Sequence, residues 1–278
     1  MKVLTALVVA LVVAGAAAGS TSPLQGAAAY LVGAQQADGG FAEAGRQADT
    51  SLTAWVALGL VASHASVDAR AKALAYLRVH EADSLQITDI ALAAVARIAL
   101  GDRPDALLAK LRRVQPDGLV NEETWTILAL RASGEPAPGA LVQDLRATQS
   151  RNGGWSWTRH GAPDSNDTAA AIEALRAAGV TGRPVARALV ALRGFRNRDG
   201  GYGLTRGRDS DAQSTAWAIQ ALIAARTKPL AATWRFLAKL RRVDGSYRYS
   251  LRYATTPVWV TAQVAAALAG RPFPLTGD

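Results

Sequence analysis

A chain of 278 residues, half of them hydrophobic, is long enough to bury one large core, and its wealth of alanine against 6% aromatics favours helices over sheets. It has no cysteine, which excludes disulfides and thiolate metal sites, and its three histidines, His64, His80 and His160, have no partner at metal-ligand spacing. The sequence therefore implies no metal and no cofactor. The formal net charge of +9 is spread over Arg112-Arg113, Arg196 to Arg198, Arg206 to Arg208 and Arg241-Arg242, a distribution that suits an anionic polymer of the cell envelope, with no nucleic acid expected.

The chain opens "MKVLTALVVALVVAGAAAGSTS": Lys2 gives a positive start, Val3 to Val13 is a short apolar run, and Ala16-Ala17-Ala18 offers small residues for cleavage. This is the pattern of a signal peptide over 1–19, too short for a comfortable membrane span, and it predicts export to the envelope or beyond. The remainder, 20–278, reads as a single domain.

That domain is repetitive. "ADGGF" (37–41), "PDGLV" (116–120), "RNGGW" (151–155), "RDGGY" (198–202) and "VDGSY" (243–247) punctuate it, and a degenerate copy, "EADSL" (81–85), fills the one long gap. With the leading residues at 38, 83, 117, 152, 199 and 244 there are six units. Before each turn lies a helical stretch with one wet face, "GAAAYLVGAQQ" in the first unit and "AATWRFLAKLRR" in the last. After each turn comes a stretch apolar nearly all round: 53–60, 88–95, 124–130, 168–175, 215–222 and 261–268. Such helices are buried, and the glycines stop the first helix of each pair. Twelve helices alternating between half-wet and buried predict an all-α fold, an (α/α)6 toroid with six inner helices inside six outer ones.

The motif Q-x-x-D-G-G-F/W before a Thr-Ala helix, as in "QQADGGF" (35–41) and "QSRNGGW" (149–155), resembles the prenyltransferase and squalene-cyclase repeat family over essentially the whole of 20–278. The resemblance implies the same toroid. In cyclases of that family an Asp-x-Asp-Asp motif before Thr-Ala protonates an alkene or epoxide through its middle carboxyl. Here Asp164-Ser165-Asn166-Asp167-Thr168-Ala169 aligns with it, and Asn166, an amide without an acidic proton, stands at the donor's place. The zinc chemistry of protein prenyltransferases and the thioester chemistry of other relatives both need a cysteine this chain lacks.

Counting back four residues from Thr53, Thr168 and Thr215 gives Asp49, Asp164 and Asp211, a position that recurs with the repeat. An Asp there caps a helix, and Asp167 follows in a first turn where an acid is favoured. Because all inner helices run one way, these residues ring one mouth of the axis. Trp55 and Trp217 lie two residues beyond the Thr, Trp125 one beyond Thr124, and Trp259 two before Thr261. The ligand-binding set expected at this mouth is Asp49, Trp55, Trp125, Asn166, Asp167, Asp211, Trp217 and Trp259; Asp164 and Asp167 are the candidate acids. Phe41, Trp155, Trp157, Tyr202 and Tyr247 are expected to pack the turns. The expected function is that of an exported, non-catalytic module binding an isoprenoid or other small apolar ligand, or an envelope partner; the alternative is a class II terpene cyclase-like enzyme with a carboxylate proton donor.

Overall fold

The computed structural model describes residues 21–275 apart from 84, 85 and 117; the expected signal segment and Asp117 of the third turn lie outside the described residues. The described residues form twelve α-helices in the expected alternation. The outer helices are α1 (Pro23–Gly33), α3 (Val67–Val79), α5 (Asp105–Leu111), α7 (Gly139–Ala147), α9 (Arg183–Arg193) and α11 (Ala231–Leu240). The inner helices are α2 (Thr50–Ala62), α4 (Ile87–Ala99), α6 (Val120–Ala132), α8 (Ser165–Ala177), α10 (Ala212–Ala224) and α12 (Pro257–Leu268). Each inner helix packs on the next, and α12 packs on α2, so the inner ring is closed. It is an α/α toroid, and its core is the apolar wall between the two rings.

The repeat motif is a fastening device. In four units the inner-helix threonine accepts a hydrogen bond from the backbone N–H of the buried turn aromatic: Thr53 from Phe41 (2.9 Å), Thr168 from Trp155 (3.0 Å), Thr215 from Tyr202 (3.0 Å) and Thr261 from Tyr247 (2.9 Å). The leading Asp38, Asn152, Asp199 and Asp244 accept the N–H two residues on, which tightens each turn. Gln35 and Gln149 then donate both to their own turn and to the first turn of the next outer helix, at Ala69 and Pro184. At Gly200, with φ +92°, a Cβ would stand 2.5 Å from the carbonyl oxygen of Ala232 in α11, so the close approach of turn to neighbour requires glycine. The sixth turn makes the same approach to the first outer helix, where Gly245 abuts Gly26, and this closes the ring.

Three sequence expectations need correcting. In α4 and α6 the threonines taken as equivalents of Thr53 are out of register: the fourth residue of each helix is Ile90 and Glu123. Trp125 is consequently the sixth residue of its helix, as Trp55 and Trp217 are of theirs. Trp157 packs no turn; it is 54% exposed, because the tie to the threonine reaches only Trp155.

Candidate ligand site at the mouth of the inner ring

The N-termini of the inner helices do gather at one mouth, and the recurring aspartates cap them. Asp49 accepts the N–H of Leu52 (2.7 Å), Asp164 that of Asp167 (2.8 Å) and Asp211 that of Ser214 (2.7 Å). These bonds satisfy backbone donors that would otherwise be orphaned, and they set a negative group against the positive helix end. On α12 the same office is filled from another repeat: Glu43 accepts the N–H groups of Val258 (3.2 Å) and Trp259 (2.9 Å). No recurrence in the sequence marks Glu43, since it reaches across the closing seam of the ring.

The carboxylates differ in their electrostatics. Asp167 lies against Asp164, and burial together with that neighbouring carboxyl raises its pKa well above the usual range. Asp167 therefore keeps its proton into the neutral range. Asp211, 3% exposed, is pushed up to about 6 by burial, against the lowering effect of its bonds from Ser214. Asp89 is raised by burial while Ser51 donates to it, and it faces a cavity of about 360 Å³ that Asp49, Ser51, Tyr76 and His80 also line. Glu123 is not part of the mouth. It is buried at the place of the repeat threonine, bound to Arg159 at 2.7 Å, and pushed up to about 8 by burial and by Asp144 beside it.

The tryptophans converge. Trp55, Trp125 and Trp217 meet on the axis with ring centroids 5.4, 5.9 and 6.0 Å apart and planes nearly perpendicular. This edge-to-face arrangement is the favoured one for aromatic pairs. Trp55 and Trp259 keep partial exposure, whereas Trp125 and Trp217 are buried. One helical turn nearer the mouth, on the same helix faces, stand Ser51, Asn121 and Gln213, with Asn166 and Trp259 at the matching places of α8 and α12. Asn166 thus holds the axis-facing position, and its amide oxygen accepts from the Ser165 hydroxyl (3.1 Å). The candidate site is the mouth itself: the partly exposed Trp55 and Trp259, the polar residues Ser51, Asn121, Asn166 and Gln213 one turn nearer the helix ends, and the Asp164–Asp167 pair at the start of α8.

One participant carried no sequence signal. Phe273, from the segment after α12, enters the axis beneath the tryptophans, with its ring 5.7 to 6.0 Å from all three. Its backbone N–H donates to Glu173, which is fully buried in α8 and whose pKa burial raises far above the carboxylate range. A lone Glu in the otherwise apolar stretch "TAAAIEAL" was a legible signal; Phe273 lies in a stretch without periodicity. Among the described residues no cluster of three metal-ligating side chains occurs. No helix among them is long and apolar enough to cross a membrane.

No family model matches the chain, and no curated protein is similar to it in sequence. Solved structures are similar. The apo type II terpene cyclase MstE from Scytonema is 17% identical with a TM-score of 0.66 over 89% of this chain and 96% of that one. A protein from Actinoplanes is 18% identical with a TM-score of 0.66 over 90% and 98%. The ent-copalyl diphosphate synthase from Streptomyces platensis is 21% identical with a TM-score of 0.55 over 80% of this chain and 50% of that one. At these identities the likeness establishes the fold. A variant of the Scytonema cyclase was solved with its substrate, geranylgeranyl dihydroxybenzoate, and another with its product, merosterolic acid A.

Proposed function

We propose that the mouth of the inner ring binds a prenyl chain and that the Asp164–Asp167 pair is its proton source, as in a class II terpene cyclase-like protein. The observation that carries the reading is the pair itself: two carboxyls in contact at the start of α8, one with a raised pKa, at the ring mouth where the inner-helix tryptophans gather. A carboxyl kept protonated near neutrality can give its proton to a terminal alkene. The O–H bond breaks, a C–H bond forms, and the positive charge left on carbon is stabilised by aromatic faces such as that of Trp55. The proton is restored to a carboxylate when the cyclised cation loses H⁺ from a neighbouring carbon, whose C–H pair becomes the new alkene bond. The type II cyclases among the similar structures, one of them with a geranylgeranyl substrate bound, support this reading.

A second reading is a non-catalytic binding module, favoured by Asn166 at the axis-facing position and by Phe273 filling the axis below. Incubation of the purified protein with squalene, oxidosqualene, geranylgeraniol and geranylgeranyl diphosphate, followed by product extraction and a tryptophan-fluorescence binding assay, separates the two. The first reading expects a cyclic product that Asp167→Asn abolishes. Binding without product selects the second, and no binding at all removes both. Export through residues 1–19 and contact of exposed Arg112, Arg198 and Arg242 with an anionic envelope polymer belong to the same proposal. N-terminal sequencing of secreted protein and a salt-dependent pull-down with such a polymer test them.

A further inference from the structure

The axis beneath the tryptophans is poorly matched to what fills it. Glu173 and Gln220 are each the ninth residue of neighbouring inner helices, α8 and α10, and both are fully buried. Gln220 lies one turn beyond Trp217, and Gln263 accepts from the Trp217 indole N–H at 2.8 Å, so both glutamines neighbour the tryptophan whose ring stands 5.7 Å from that of Phe273. Glu173 uses one carboxyl oxygen for the Phe273 N–H. Its other oxygen, both amide atoms of Gln220 and the amide nitrogen of Gln263 have no partner. Buried polar groups are otherwise paired, because desolvation without a hydrogen bond is costly. A core built around phenylalanine would have carried leucine at these positions, as α2 and α6 do at the matching Leu58 and Leu128. The segment holding Phe273 is not helical.

We propose that this chamber is the deep half of the prenyl site, that Phe273 is a displaceable plug in it, and that its occupant is an isoprenoid with a neutral hydroxyl or amide head rather than a diphosphate. The inference rests on the prenyl-binding reading of the mouth above. The tryptophans supply an apolar wall, while Gln220 and Gln263 offer both donors and an acceptor. Charge on the head is disfavoured: the one buried cation among the described residues, Arg97, is committed to Glu81 and Asp102. A diphosphate in the chamber would be uncompensated. The plug lowers apparent affinity by the fraction of molecules in which it stays seated.

Tryptophan-fluorescence titrations of the full chain with geranylgeraniol and with geranylgeranyl diphosphate test this. Phe273→Ala is expected to tighten geranylgeraniol binding about tenfold or more, with a smaller gain for the milder Phe273→Leu, and no gain for the diphosphate. Adding Gln220→Leu is expected to weaken geranylgeraniol about tenfold while raising the melting temperature of the unliganded protein, which a purely structural glutamine would not do. If Phe273→Ala does not fold, Phe273→Leu carries the comparison. Wild-type binding that neither Phe273 variant alters overturns the chamber and leaves the mouth reading standing. An equal gain for the diphosphate overturns the neutral head. Failure of every form to bind either lipid overturns the inference together with the reading beneath it.

Discussion

The backbone N–H of Phe273 donates to Oε2 of Glu173 at 2.5 Å, tying the segment after the last helix to the middle of α8 across the centre of the toroid. A hundred residues of chain separate the two. The acceptor is a carboxyl that burial keeps protonated, so the bond joins neutral groups in a dry interior and leaves no net charge there.

Glu173→Gln is therefore expected to match wild type in acid, where an amide oxygen takes over the acceptor role of an uncharged carboxyl, and to be the more stable protein at neutral pH, because it has no carboxyl to ionise on unfolding. Glu173→Ala strands the Phe273 N–H and should cost about 1–3 kcal/mol. The sign for wild type follows from the raised pKa: stability is full below the unfolded value and falls as pH rises through the folded one. Urea midpoints of the three proteins from acid to alkaline pH check this, with the fall on raising pH shallower in the glutamine variant.

The threonine tie predicts a contrast between near-isosteric substitutions. Thr215→Val removes the acceptor of the buried Tyr202 N–H and should cost about 1–3 kcal/mol. Thr126→Val removes a hydroxyl with no partner and should be neutral or stabilising. Calorimetric melting of the pair decides the matter; equal losses would show that the tie carries no energy of its own.

Two glycines with positive φ should respond differently to alanine. At Gly101 (φ +83°) a Cβ meets nothing, so Gly101→Ala should cost only the left-handed conformation, about 1–2 kcal/mol. Gly200→Ala adds a clash with the Ala232 backbone and should cost clearly more. Denaturant midpoints of both variants read the difference.

Glu123 predicts a pH dependence. Its pKa rises from 4.5 to about 8 on folding, so its contribution is complete below about pH 4.5 and is lost as pH climbs to about 8. Glu123→Gln keeps a partner for Arg159 without the titration, and should flatten the fall in melting temperature between those limits. A variant curve parallel to wild type would place the titration elsewhere.

The sequence by itself determined the architecture. The turn Gly39, the tied Phe41 and Thr53, and their counterparts in later units recur because each unit must make the same local contacts, and local contacts are what periodicity records. The caps Asp49, Asp164 and Asp211 were legible for the same reason, since a helix end is a local problem. Tertiary structure alone decided the register of α4 and α6, where Ile90 and Glu123 replace the threonine, and so set Trp125 level with Trp55 and Trp217. It alone brought Glu43 to the end of α12 and Phe273 to Glu173, because both contacts join residues far apart in the chain across the ring. Ring closure creates an axis, and what fills an axis depends on six helix faces at once, which no single stretch of sequence encodes.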